Sequence, residues 1–206
     1  MSVIYYEEPQ GSEAWMRERA RLVTASVFKD AIAKPGTSRR TTLCRRLRAV
    51  RNGFPVDDGF LGPTTGGSVA TAAMQRGVEN EDAIRAMFEL THGVEVMEVG
   101  LALNSDYPDL GASLDGLIVD RNEAVEIKSP EPSILFEYHE QGRVPPQYHW
   151  QVHGQMLVCE LDAVWFTAWH PRCSPEQLFS LRVARDEAVL AELRQRLDQF
   201  LLEVNK

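Results

Sequence analysis

From Val94 onward the apolar residues of this chain change period, and no other feature constrains its fold as much. Up to that point the sequence reads mainly as helix; beyond it, short alternating stretches read as strands, with helices between and after them. Thr24 or Ser26 is placed to cap a helix through about Ala33, which Pro35-Gly36 ends. A second helix is expected over Arg39 to Arg51, closed by Asn52-Gly53. After a loop from Gly59 to Gly67, a long helix is expected from Val69 to Leu90, stopped by His92-Gly93. Val94 to Leu103 alternates as a strand. Leu117 to Val119 and Ala124 to Lys128 flank the turn Asp120-Arg121-Asn122 as a hairpin. Helices then follow over Ser133 to Glu140 and Pro146 to Cys159, strands over Ala163 to His170 and Leu178 to Val183, and a closing amphipathic helix over Asp186 to Val204. The expected class is α/β, a central mixed sheet of about five strands flanked by helices. No linker or repeat divides the 206 residues, so one domain over 1–206 is expected.

The segment Gly111 to Lys128 carries the chemistry. Residues two apart on a strand share a face, so Glu126 and Lys128 point the same way while Ile127 points into the core. Asp115 precedes the partner strand of the hairpin and can be brought beside them. Asp115, Glu126 and the carbonyl of Ile127 are hard oxygen ligands suited to Mg²⁺, whose bound water becomes more acidic and whose charge stabilises a phosphate in transit. Lys128 can orient or deprotonate that water, or neutralise the transition state as an ammonium; the sequence leaves the choice open. A surface salt bridge on a hairpin is the other reading of so loose a pattern. Against it, Lys128 is the only one of four lysines preceded at two residues by a glutamate. It also ends an apolar strand, where a charge is costly unless paired.

A net charge of −8 speaks against nucleic acid, but its distribution does not. Seven basic residues and no acidic one lie between Lys34 and Arg51. Such a cluster is either a phosphate-facing surface or a solvated helix face. Arginines outnumber lysines 18 to 4, which suits bidentate phosphate contacts.

Four blocks in order give the chain a resemblance. Asp115 with Glu126-x-Lys128 resembles the PD-(D/E)xK nuclease superfamily. Ala14-Trp15…Arg19…Thr24-Ala25-Ser26, Gly77…Glu81 and Gln151…Gln155 resemble the accompanying blocks of its lambda-exonuclease (YqaJ-type viral recombinase) family. The likeness runs from about Trp15 to His170. Leu114 stands where the motif's name has proline, a position that shapes a turn and supplies no ligand.

The resemblance implies a restriction-endonuclease-like core and a nuclease. Glu81 becomes a metal-site carboxylate, direct or through water, and Gln151 lies beside the active site. Arg19 and Ser26 grip a phosphate of the DNA, with Thr24 beside them, and Arg39, Arg40 and Arg45 of the basic cluster are assigned to DNA as well. The implied activity is a Mg²⁺-dependent 5′→3′ exonuclease, with Mn²⁺ able to substitute, that degrades one strand of duplex DNA from a free, 5′-phosphorylated end. A homotrimeric ring and a single-strand annealing recombinase as partner are implied too, with a phage or prophage origin. The alternatives are a site- or structure-specific endonuclease on the same fold and a non-catalytic DNA-binding module. No Walker-type loop is present, so no ATP is expected. No run approaches the roughly 20 apolar residues of a membrane span, and the acidic N-terminus has no signal-peptide pattern, so a cytoplasmic location in a bacterial cell is expected.

Other candidates read more simply. Glu79 lies about 200° around the helix from Glu81 and reads as solvated. His139, His149 and His153 lack a third metal partner. Trp150, Trp165 and Trp169 read as core. Ser113, Ser129 and Thr24 have no histidine placed to activate them. Cys44, Cys159 and Cys173 are widely spaced and read as structural thiols in a reducing compartment. The residues that split the duplex are expected in the loops between Gly53 and Gly67.

Overall fold

The computed structural model describes residues 3–8, 11–55 and 72–206, the side chains of 72–79 excepted. The Gly59–Gly67 loop, Val69, the side chain of Glu79 and most of the loops assigned to duplex splitting lie outside the described residues. In chain order the elements are β1 (Val3–Tyr5), α1 (Glu13–Ala20), β2 (Val23–Thr24), α2 (Phe28–Ala31), α3 (Ser38–Arg51), α4 (Ala72–His92), β3 (Val96–Met97), β4 (Leu101–Asn104), β5 (Leu110–Ser113) and β6 (Gly116–Ile118). They continue with β7 (Glu123–Lys128), α5 (Pro132–Gln141), α6 (His149–Cys159), β8 (Ala163–Ala168), β9 (Phe179–Ala184) and α7 (Glu187–Val204).

The expected sheet is present, in the order β3-β6-β7-β8-β9. It is mixed: β7 and β8 run parallel and the other neighbours antiparallel. The parallel pair is joined by a crossover through α5 and α6, as parallel strands require. A four-stranded sheet, β1-β4-β5-β2, stands beside it and has no counterpart in the sequence reading. The strand expected over Val94 to Leu103 is two strands. β3 belongs to one sheet and β4 to the other, and the chain breaks between them at Gly100. A Cβ there would lie 2.7 Å from the Tyr6 carbonyl oxygen, so the approach of the N-terminal segment requires glycine. The opposite strand breaks at the same level: β5 and β6 are separated by Leu114 and Asp115. Asp115 thus sits on the seam between the sheets.

Alternation along β7 sorts its side chains. Val125 and Ile127 pack against Ile84 and Phe88 of α4, while Ala124 joins the larger core on the other face. α6 is the centre of that core, and all its residues from Val152 to Cys159 are buried. The helix expected from Thr24 or Ser26 is a single 3-10 turn (Ala25–Val27) running into the short α2, and the Thr24 side chain makes no cap hydrogen bond. This turn packs on α6 at Gly154. α7 lays Leu190, Leu193, Leu197, Phe200 and Val204 on the core, the stripe its sequence shows. Trp169 is buried, and the Trp165 indole N–H donates to Glu123 at 2.7 Å. No helix among the described residues is long and apolar enough to cross a membrane.

One basic residue is not where its charge implied. Arg40 is 5% exposed, its guanidinium turned inward from α3 at the floor of the groove that Arg45 borders. Its Nη2 donates to Glu203 of α7 at 2.7 Å, its Nε to the same carboxylate at 3.2 Å, and its Nη1 to the carbonyls of Ala31 and Ala33. The guanidinium ties α2, α3 and α7 together. Fourteen residues of arginine-rich helix cannot all face solvent when one flank must dock, and charge alone does not reveal which flank.

Two outcomes follow for stability. In Arg40→Ala the Glu203 carboxylate and two carbonyls lose their donor, so chemical denaturation should show a loss of about 2–4 kcal/mol. Gly154→Ala places a Cβ 2.4 Å from the buried Phe28 ring. The gain in helix propensity, about 1 kcal/mol, is outweighed by overpacking of about 1–3 kcal/mol. The variant should melt below the wild type; a higher melting temperature would show that Phe28 moves freely.

Candidate active site

The hairpin of β6 and β7 sets Gly116 opposite Val125, which brings the seam residue Asp115 against the outer half of β7. There the backbone N–H of Ile127 donates to Asp115 Oδ2 at 2.7 Å. The N–H and C=O of one strand residue point to the same side, so the Ile127 carbonyl faces the Asp115 side as well. Burial raises the pKa of the Asp115 carboxyl well above the ordinary range, the nearby Glu126 charge raises it further, and Lys128 works against both.

Glu126 is 1% exposed and fully engaged. Its Oε1 accepts from the Lys128 ammonium and from Gln151 Nε2 at 2.6 Å; its Oε2 accepts from Gln155 Nε2. Burial disfavours the Lys128 cation, but the Glu126 and Asp115 carboxylates outweigh it and hold its pKa above that of an ordinary lysine. The ammonium also lies 5.3 Å from the centre of the Tyr148 ring. Lys128 is therefore a cation in this arrangement.

Glu81 approaches from α4. It is half-buried and paired with Arg85 at 2.8 Å. Burial raises its pKa, Arg85 opposes that, and the charges of Glu98 and Lys128 also reach it. Asn80, one residue earlier, donates to Ser129 Oγ at 3.0 Å and fastens the helix to the end of β7. Among the described residues no three His, Cys, Asp or Glu side chains are gathered round one point as a ready-made metal cage. What converges is two mutually repelling carboxylates and a backbone carbonyl, with Glu81 at the margin. These hard donors fit Mg²⁺, and a divalent cation is what would relieve the repulsion seen at Asp115.

A second cluster is built from α1, β2 and α3. Arg19, Thr24, Ser26, Arg39, Thr42 and Arg46 border a pocket of about 510 Å³. Arg19 Nη2 donates to Ser26 Oγ at 3.1 Å, and Ser26 Oγ is 3.2 Å from Thr24 Oγ1. The Arg19 guanidinium lies 5.4 Å from the centre of the Trp15 ring. Its Nε is buried and without a hydrogen-bond partner among the described residues, and burial lowers its pKa. A desolvated guanidinium with a donor to spare is poised for an anion. Arg39 is exposed, 3.9 Å from Asp30, and shares this pocket. Arg45 does not: it faces a separate groove with Arg48, Glu203 and Lys206.

Two residues of the site carry roles that the sequence does not assign: Gln155, which is part of the glutamine block, and Arg85. Gln155 is wholly buried and holds Glu126; its signal was the spacing of four from Gln151, which puts both amides on one helical face. Arg85 stands at the same spacing from Glu81. Of the histidines, His153 is buried with Nδ1 hydrogen-bonded to the His149 carbonyl, and His139 Nε2 is bonded to that of Gln177.

Solved structures share this arrangement of elements. The crystal structure of the alkaline exonuclease LHK-Exo from Laribacter hongkongensis has 30% identity and a TM-score of 0.79, covering 94% of this chain and 93% of that one. LHK-Exo in complex with dAMP superposes with a TM-score of 0.81 at the same identity and coverage. A phage-related exonuclease from Haemophilus somnus 129PT, 12% identical with a TM-score of 0.62, shares the fold. No curated protein sequence gives a significant match. The family model of the YqaJ-like viral recombinase domain matches residues 14–162, a span that takes in Arg19, Glu81, Asp115, Glu126, Lys128 and Gln151. The chain belongs to the YqaJ-like viral recombinase domain family.

Proposed function

We propose that the protein is a Mg²⁺-dependent 5′→3′ exonuclease that degrades one strand of linear double-stranded DNA. The observation that carries this reading is the buried Glu126 carboxylate, held by Lys128, Gln151 and Gln155 beside a repelling Asp115. Salt bridges that only decorate a hairpin do not bury a carboxylate to 1% exposure among three donors. The related LHK-Exo is an exonuclease by name, and its complex with a deoxynucleoside monophosphate fits an enzyme that releases single nucleotides.

Asp115, Glu126 and the Ile127 carbonyl would hold the metal, with Glu81 direct or through water. Bound Mg²⁺ supplies a more acidic water and neutralises charge on the scissile phosphate, and Mn²⁺ can substitute. The Lys128 ammonium stands ready to stabilise the charge that develops on the phosphate oxygens. As a base it would first have to give up a proton that the neighbouring carboxylates hold on it. Gln151 and Gln155 keep the Glu126 carboxylate in a single orientation.

The Arg19 pocket, with Thr24, Ser26 and Arg39, takes a terminal 5′-phosphate in this reading, which would give the enzyme its polarity. Arg45 would meet DNA elsewhere. The reading extends to a homotrimeric ring around DNA, with an acidic exterior and a basic lumen, to a single-strand annealing recombinase acting on the exposed 3′ strand, and to the cytoplasm of a bacterial cell carrying a phage or prophage.

Linear duplex labelled at either end should lose 5′ label with Mg²⁺ and not with EDTA, while closed circular DNA stays intact. Asp115→Ala should be inert. Cut circles would make the protein an endonuclease on the same fold, and no cleavage with either metal would leave a DNA-binding module. In Arg19→Ala the preference for 5′-phosphorylated over 5′-hydroxyl ends should fall by about 10- to 100-fold, the worth of a lost charge-assisted contact. An unchanged preference would remove the phosphate from this pocket.

A further inference from the structure

Arg85 is the buried cation that neither the hydrolytic cluster nor the phosphate pocket accounts for. Its side chain is 12% exposed, and its three nitrogens take three different jobs. Nη2 donates to Glu81 Oε1 at 2.8 Å, and Nε donates to the backbone carbonyl of Asp115 at 3.1 Å. Nη1 is held from the solvent side, 2.8 Å from Asp82 and 3.9 Å from Glu98, both exposed. The contacts to Glu81 and Asp82 are ordinary neighbours on a helix. The contact to Asp115 is not: it leaves α4 and reaches the seam between the two sheets.

We infer that Arg85 is a positioning residue for the metal site, one that fixes Glu81 and Asp115 relative to each other. The inference rests on the metal-dependent reading above. A planar guanidinium presents its donors in a fixed fork, so a carboxylate on Nη2 and a carbonyl on Nε are held at a set separation. By occupying Oε1 of Glu81, Arg85 sets where Oε2 lies. By holding the Asp115 carbonyl, it fixes the turn from which the Asp115 carboxylate projects, while the Ile127 N–H fixes the carboxylate itself. Lysine could supply the charge but not both directed bonds.

The test is Mn²⁺ binding by calorimetry, with the Mg²⁺ dependence of nucleotide release alongside, for wild type, Arg85→Ala, Arg85→Lys, Glu81→Gln and Glu81→Gln/Arg85→Lys. Thermal melts establish that each is folded, and Arg85→Lys serves if Arg85→Ala is not. Outer partners of metal ligands are typically worth about 10- to 100-fold in metal affinity. Arg85→Ala should weaken Mn²⁺ binding by about that factor and Arg85→Lys by somewhat less, with the Mg²⁺ midpoint shifted likewise. In the Glu81→Gln background Arg85→Lys should weaken binding by clearly less than it does in the wild type, since its share through Glu81 is already gone. Unchanged or tighter Mn²⁺ binding by folded Arg85→Lys would overturn the inference, as would fully additive effects in the double variant. If the wild type itself takes up no Mn²⁺, the metal-dependent reading fails first.

Discussion

The site depends on one carboxylate that should not be where it is. Glu126 lies at 1% exposure between the buried Val125 and Ile127. An isolated buried carboxylate would take up a proton or unfold its surroundings. Here it is kept by Lys128 from its own strand and by Gln151 and Gln155 from α6. The two glutamines require α6 to run close beside β7. One residue before Gln155, Gly154 leaves room on the same helix for the Phe28 ring and for Ala25. The core and the catalytic chemistry are therefore one packing problem.

Charge is divided in a way the net figure of −8 hides. The arginines of α3 point in three directions. Arg39 and Arg46 border the Arg19 pocket, Arg45 faces a separate groove, and Arg40 is consumed inside the fold. Arg48 and Arg51 also reach back to α7, through the Glu203 carbonyl and the Asn205 side chain. A basic run on a helix is thus partly mortar and partly surface.

The hairpin bearing Asp115, Glu126 and Lys128 was legible because a period of two, a turn signal and an unusual lysine coincide there. The closing helix was legible because its leucines repeat cleanly. The second sheet was not: β1 and β2 are two or three residues long, and β5 reads Leu-Gly-Ala-Ser, too small and polar to announce a strand. The break at Gly100 was hidden because apolar alternation carries on across it. The burial of Arg40 and the roles of Gln155 and Arg85 are not legible, for one reason. A polar side chain's role is set by burial and by partners distant in sequence, such as Glu203 at 163 residues from Arg40.

The seam has a consequence for how the molecule tolerates change. In a single sheet, adding one residue to a strand turns every later side chain to the opposite face. Here Val96↔Ile118 and Leu101↔Ser113 lie on one continuous register, so the two sheets share a phase across the seam. An extra residue between Glu98 and Val99 would therefore have to bulge out or shift one pair by a residue against the other. The same addition beside Asp115 would also displace the carboxylate that accepts from the Ile127 N–H. Both flanks of the junction are bound to the same count of residues, and neither can change length without the other.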